Sequence, residues 1–371
     1  MSDSWGFKLA CALITGASLV VVAIKTLKAS DRLSESKKPE KASLLDLVGN
    51  TPLVLIPSLS KQSGCRVYAK CEWMNPCGSS KDRVAKEILL TALRENRIKA
   101  GGTVVEASSG STGISLTRMA RALGLHALIV IPNDQAREKI SLLQRLGAAV
   151  ELVKPASIVN PGHNVNVARR RAREIPNAFF ADQFENEANV RAHLQTGQEI
   201  WSQTKGEIDA FVMSAGTAGT IAGVSQALRA RKPNVNIVLA DPQGSSLFHA
   251  VNHGILYAPE QSEKTIKRHR VDTIVEGVGL DRMTRNFQAA LPYIDQAIKV
   301  TDAEVVKMSR QLLLEDGLFV GSSSALNCVA ALKTAEKLGP GHVVVTVLCS
   351  SGEREVTKIH DDDFCKSLGL L

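Results

Sequence analysis

Beyond residue 43 the chain alternates between two hydrophobic patterns. Short apolar runs predict strands at 54–56 and 67–71, and buried strands at 103–106, 127–131, 149–153, 210–213, 237–240 and 343–348. Between them, apolar residues three and four apart predict helices over 81–96, 112–123, 136–146, 165–174, 188–202, 219–230, 302–315 and 323–338. This alternation predicts an α/β class: two lobes of mostly parallel sheet with flanking helices. Roughly 320 residues of it are enough for two such lobes. Ligands in this architecture sit where the carboxyl end of a strand hands over to a helix. Those loops carry the candidate chemistry.

The N-terminus has a different pattern. Residues 9–24, LACALITGASLVVVAI, carry no charge, follow Trp5, Phe7 and Lys8, and precede a basic stretch that opens at Lys25. A membrane span needs about 20 apolar residues, a length reached here if Lys8 snorkels. A cleaved secretory signal, a buried helix and a retained signal-anchor compete. The polar linker behind the run argues against the buried helix, and the expectation is a membrane anchor over residues 1–25. A short anchor followed by basic residues looks like the mitochondrial outer-membrane type, with the soluble part facing the cytosol. The alternatives are the mitochondrial matrix and the cytoplasm. Residues 26–42, rich in Lys, Ser and Glu, predict a flexible linker.

Composition narrows the function classes. The 371 residues are 44% hydrophobic and 22% charged, as in a globular protein, with a formal net charge of +8. The basic clusters at 169–171 and 267–270 hold no interleaved aromatics, and aromatics make up only 4% of the chain. The excess charge therefore reads as solvated faces, and nucleic acid is not the expected partner. Seven cysteines (Cys11, Cys65, Cys71, Cys77, Cys328, Cys349 and Cys365) include no CxxC pair, so no metal site is expected. With no Asn-x-Ser/Thr acceptor, this cysteine set suits a reducing compartment.

Four stretches stand out chemically. In NPCGSSKDR at 75–83, Pro76 and Gly78 punctuate a turn and Ser79 or Ser80 can cap the helix that follows. Val84, Ile88, Leu89, Ala92 and Leu93 give that helix one apolar face. Lys81 then sits at a helix start, where the macrodipole disfavours a cation and favours a neutral, nucleophilic amine. After the strand at 103–106 comes SSGSTG at 108–113, whose small residues expose backbone N–H groups to a carboxylate. After the strand at 210–213 comes SAGTAGT at 214–220, with the composition of a phosphate cradle. Its glycines do not form GxGxxG and no Walker GK[ST] follows, which argues against NAD and nucleoside triphosphates. Last, GSSSA at 321–325 opens a helix. A nucleophilic lysine, a phosphate cup and a carboxylate cup are what a pyridoxal phosphate enzyme acting on an amino acid requires. Cys77 and His193 read as packing residues.

Taken in order, these motifs resemble the cysteine synthase family, the fold type II pyridoxal-phosphate enzymes that also include cystathionine β-synthase. The resemblance runs from about residue 44 to 355. VGNTPL at 48–53 looks like the family's I-G-N-T-P-L, and residues 75–83 match N-P-x-x-S-x-K-D-R. Residues 108–113 match T-S-G-N-T-G, 183–189 match Q-F-x-N-x-x-N, and 216–220 match G-T-G-G-T. Further on, 276–279 match E-G-I-G, 321–325 match G-I-S-S-G, and 351–354 match S-G-E-R.

The resemblance implies a tryptophan synthase β-like fold and pyridoxal 5′-phosphate as cofactor. It implies a large cofactor-binding lobe from 43–84 and 188–371, and a smaller substrate-loop lobe from 85–187. Lys81 is implied as the catalytic residue that carries the cofactor. Ser111, Gly216, Thr217, Ala218, Gly219, Thr220 and Ser323 are implied as further cofactor-binding residues. Ser108, Ser109, Thr112 and Gln183 are implied as substrate-binding residues. The implied reaction is a β-replacement, forming L-cysteine from O-acetyl-L-serine and sulfide through an aminoacrylate, in a homodimer.

Four positions depart from the family pattern: Ser111 for Asn, Ala218 and Ala325 for Gly, and Ser350 for Asp. DPQGS at 241–245 is nearer the cystathionine β-synthase version. The alternatives are therefore a cystathionine β-synthase-like activity, a serine or threonine lyase, and a non-catalytic membrane-tethered protein that kept the fold.

Overall fold

In chain order, β1 (Leu53–Leu55), α1 (Pro57–Ser63), β2 (Arg66–Cys71) and α2 (Lys81–Arg94) come first. The middle of the chain runs β3 (Thr103–Glu106), α3 (Ser111–Ala122), β4 (His126–Pro132), α4 (Arg137–Arg145), β5 (Ala149–Val153), α5 (Asn164–Glu174) and β6 (Ala178–Phe180). Then follow α6 (Ala188–Gln203), β7 (Ala210–Ser214), α7 (Gly219–Arg229), β8 (Asn236–Pro242), α8 (Leu247–His253), α9 (Arg285–Ala290) and β9 (Gln296–Val300). The chain closes with α10 (Asp302–Asp316), α11 (Ser322–Leu338), β10 (Val343–Leu348) and α12 (Asp362–Ser367). This computed structural model describes residues 43–108, 110–135, 137–258 and 273–371. The expected anchor and linker, residues 1–25 and 26–42, lie outside the described residues. Among the described residues no helix is long and apolar enough to cross a membrane.

Two sheets organise these elements, in keeping with the α/β expectation. The six-stranded sheet has the order β1-β2-β10-β7-β8-β9, parallel except for β1. The four-stranded sheet, β5-β4-β3-β6, is parallel throughout. In the larger sheet β2 and β10 pair along their whole length, Arg66 with Val343 through Cys71 with Leu348. Between β10 and β7 the ladder joins only Val344 to Ala210 and Val345 to Phe211, although the two strands run on to Leu348 and Ser214. These central strands therefore splay at their carboxyl ends. The last strand of the chain, β10, is inserted here between β2 and β7, and ligands of open α/β sheets bind in crevices at the carboxyl ends of the strands.

Local chemistry sets the element boundaries. At the start of α10, Thr301 Oγ1 accepts from Glu304 N–H and the Glu304 carboxylate accepts from Thr301 N–H, a capping box. Gly317, at φ +67°, ends that helix in the left-handed conformation. At the start of α2 the Ser79 hydroxyl accepts from Lys81 N–H at 3.3 Å, while Ser80 makes no cap bond. Val84, Ile88, Leu89 and Ala92 of α2 are fully buried where the helix packs on α3 and α6, and Leu93 is only partly buried. Burying Ile88 or Leu89 contributes about 1.5–3 kcal/mol each.

The segment 149–153, expected as a buried strand, is the edge strand β5 and is partly exposed along its length. An apolar run cannot report which neighbour a strand lacks. α1, β6, α8, α9, β9 and α12 were not among the expected elements, and each is too short to show a period. Six cysteines (Cys65, Cys71, Cys77, Cys328, Cys349 and Cys365) are free and buried.

Candidate active site

Lys81 is the first residue of α2, and its Nζ reaches the Ser80 hydroxyl at 3.5 Å. Burial lowers its pKa from 10.5, while the charges of Cys349 and Glu72 act the other way. The direction is the one expected from the helix start, but desolvation is the larger cause. The next two residues fix the helix. Asp82, fully buried, accepts from Cys77 N–H at 2.6 Å and from the Ser115 hydroxyl of α3 at 2.5 Å. Arg83 forms buried pairs with Glu72 at 2.8 Å and with Glu199 of α6 at 2.7 Å, and Glu199 also holds Lys70 of β2 at 2.7 Å. Two cations face two carboxylates, so the buried cluster is neutral. The lysine is thereby clamped from β2, α3 and α6 at once.

The carboxylate loop lies at the end of β3. Thr112 donates its hydroxyl to Gln183 Oε1 at 2.6 Å. Glu106, fully buried, accepts from Ala107 N–H at 2.7 Å and from Gln183 N–H at 3.1 Å. Burial pushes this carboxyl up to about 8 despite both bonds. The Gln183 carbonyl accepts from Asn189 Nδ2 at 2.8 Å and from Asn286 Nδ2 at 2.9 Å. Ser108 is partly buried and its hydroxyl accepts from Gly110 N–H at 3.3 Å, whereas Ser109 lies outside the described residues. Ser111 opens α3, and its Oγ accepts from Arg354 Nη1 at 3.1 Å. The same guanidinium donates to the Cys77 carbonyl.

The candidate phosphate loop links β7 to α7. A Cβ on Gly216 would fall 1.9 Å from the Gly277 carbonyl oxygen, and one on Gly219 1.9 Å from Asn189 Oδ1. Ala218 takes φ +65°, the left-handed region, immediately before α7. The hydroxyl of Thr217 accepts from Asn189 Nδ2 at 2.9 Å, so a single amide joins the phosphate loop to the Gln183 carbonyl. His193 lies between two hydroxyls, with Thr220 Oγ1 3.1 Å from its Nε2 and Thr196 Oγ1 3.1 Å from its Nδ1. Burial keeps its ring neutral, well below the usual histidine range. The expectation that His193 packs is met, but it also braces the phosphate loop.

Ser323, the second residue of α11, is 7% exposed. Its hydroxyl hydrogen-bonds the Cys349 thiol, on which the Lys81 charge also acts; burial nevertheless holds that thiol above its ordinary range. The Cys349 carbonyl accepts from Ser80 N–H at 3.2 Å. Sequence reasoning missed Glu106, Asn286 and Cys349 as parts of this cluster. Their partners lie far away in sequence, and no local pattern signals them. Asn189 and Arg354 stood inside quoted motifs, without a role.

A lysine amine whose pKa is lowered by desolvation, the first-turn N–H groups of α7, which have no partner within the helix, and two glycines with no room for a Cβ fit pyridoxal phosphate. Residues 44–350 match the family model described as "Pyridoxal-phosphate dependent enzyme", and the chain belongs to that family. Among curated relatives, it is similar to "Cysteine synthase 2" of Schizosaccharomyces pombe, 49% identical over 335 residues, which cover 88% of this chain and 85% of that one. It is 49% identical over 328 residues to "Putative mitochondrial cysteine synthase" of Saccharomyces cerevisiae, covering 86% of this chain and 84% of the relative. "Cystathionine beta-synthase" of Dictyostelium discoideum is 36% identical over 337 residues, covering 90% of this chain and 65% of that protein.

Proposed function

We propose that this chain is a cysteine synthase that forms L-cysteine from O-acetyl-L-serine and sulfide by β-replacement. The relatives named cysteine synthase at 49% identity support the reaction, and the partly buried Lys81 at the start of α2, its pKa lowered by desolvation, is the observation that carries its chemistry. Pyridoxal phosphate, when bound, supplies an electron sink conjugated to the substrate Cα.

The protein's own groups do the rest. Lys81 would carry the cofactor, and its amine, in the neutral form, is the base that would take the proton from the substrate Cα. Gly216, Thr217, Ala218, Gly219 and Thr220 receive the phosphate at the start of α7. Ser323 would offer the pyridine nitrogen a neutral hydroxyl, which does not force its protonation. Ser108, Ser109, Thr112 and Gln183 orient the substrate carboxylate, and Ser111 stands beside the ring. The large lobe, 43–84 and 188–371, holds the cofactor, and the smaller lobe, 85–187, brings the carboxylate loop. The active unit is a homodimer. The uncharged run at 9–24 anchors it to the mitochondrial outer membrane with the catalytic part facing the cytosol, a reading that rests on that run; the yeast relative's name supports the mitochondrion alone.

Lys81→Ala should abolish both the visible absorbance of bound cofactor and turnover, and retained turnover would overturn the assignment. Feeding O-acetylserine or serine as donor, each with sulfide or homocysteine as acceptor, separates this reading from a cystathionine β-synthase-like activity. Carbonate extraction and protease protection of isolated mitochondria test the anchor.

A further inference from the structure

Two side chains bridge the splayed seam between β7 and β10, Thr346 just past the last ladder pair and Asn327 at the mouth. Asn327 of α11 is fully buried between the two strand ends. Its Oδ1 accepts from Ser214 N–H at 2.8 Å, the last residue of β7 and the first of the phosphate loop. Its Nδ2 donates to the Val347 carbonyl of β10 at 2.8 Å and lies 3.5 Å from Cys349 Sγ. Beyond Val345 and Phe211 the two strands have no ladder pair, so the amide supplies the donor and the acceptor that the ladder no longer provides. Asn327 also follows Ser323 by four residues on the same helix, which puts both on one face.

We infer that Asn327 is a positioning residue whose amide fixes the width of the crevice between β7 and β10, and with it the spacing between the phosphate loop and the ring end of the cofactor site. The inference rests on the assignment of Lys81, the 216–220 loop and Ser323 above. A rigid cofactor held at both ends tolerates little error in that spacing, so a preorganised crevice contributes directly to its affinity. Three anchors meet at this amide. Ser214 leads into the phosphate loop, α11 carries Ser323, and Cys349 holds Ser80, the neighbour of Lys81, through its carbonyl. Leucine at 327 would fill much of the same volume and make neither bond, leaving the Ser214 N–H and the Val347 carbonyl unpaired.

A control exists in the same seam. Thr346 Oγ1 donates to the Val212 carbonyl at 2.8 Å, joining β10 to β7 one residue past the last ladder pair, deeper in the seam than Asn327. Pyridoxal phosphate is titrated into the cofactor-stripped full chain for the wild type, Asn327→Leu and Thr346→Val, with absorbance spectra and thermal melts of each. Both variants should melt earlier. Asn327→Leu should bind the cofactor at least tenfold more weakly with a displaced absorbance maximum, while Thr346→Val should stay within twofold of the wild type. The inference fails if Asn327→Leu binds within twofold of the wild type, or if Thr346→Val loses as much affinity. Should Asn327→Leu not fold, Asn327→Asp decides the matter: it keeps the acceptor for Ser214 and loses the donors, and an unchanged affinity and spectrum would overturn the proposal. Failure of the underlying site assignment looks different: Lys81→Ala would then bind cofactor with the wild-type spectrum.

Discussion

Ala218 occupies a backbone conformation that suits glycine, φ +65°, at the entry to α7. A side chain there costs roughly 1–2 kcal/mol, offset in part by the greater freedom glycine has in the unfolded chain. Ala218→Gly should therefore raise stability by about 1 kcal/mol in denaturant titrations, with no loss of cofactor binding. The departure from the family pattern was visible in the sequence; that it falls on a left-handed residue was not, because φ is set by the packing of the loop. Glu106 poses a different problem. Its carboxyl titrates at about 8 in the fold against 4.5 as a free group. Between those values the folded protein holds a proton that the unfolded chain has released, so this group makes stability fall as pH rises. The limiting slope is about 1.4 kcal/mol per pH unit. Glu106→Gln should remove that slope in melts between pH 5 and 8. Because the amide can accept at only one of its two ends, KM for the amino-acid donor should also rise about tenfold.

At the scale of elements, α2 matters most. Its apolar face was legible from spacing alone, and so was its start at Lys81. The clamp beneath it was not, since Glu72, Glu199 and Lys70 come from segments read separately. Arg83→Met would leave Glu72 and Glu199 facing only Lys70 in a buried place. We expect it to cost about 3–5 kcal/mol, read as a lower urea midpoint with an unchanged slope. Exposed Arg66, paired with Glu207 at the surface, provides the contrast: Arg66→Ala should move the midpoint hardly at all. Long strands and helices could be read because their periods repeat. α8, α9 and β9 could not, because they are held by tertiary contacts rather than by pattern.

Across the whole molecule, Glu276 bonds Lys139 of α4 at 2.9 Å and also Lys358 near the C-terminus, joining the side of the small sheet to the loop that packs on Gly216. Burial raises the Glu276 carboxyl, but its two lysine partners outweigh that and hold it below 4.5. The contribution of this triad is therefore present above about pH 4.5 and lost as the pH falls through the lowered value. All three groups are about a third exposed or less so, and Glu276→Gln should cost no more than about 1 kcal/mol, an effect that shrinks in high salt. The order of the motifs made the α/β architecture and the cofactor readable in advance. The place of β10 between β2 and β7, and the splay of β7 from β10, depend on pairings across more than a hundred residues, which no local pattern records.

The buried thiols have a consequence for a protein proposed to consume sulfide and release cysteine. Burial places Cys71 at about 11 and Cys77 at about 12, and raises Cys328, Cys349 and Cys365 as well. A thiol with a pKa of 11 is ionised in only about one molecule in ten thousand at neutral pH. Such groups are poor partners in disulfide exchange, so the fold shields its own sulfur from the sulfur that passes through it.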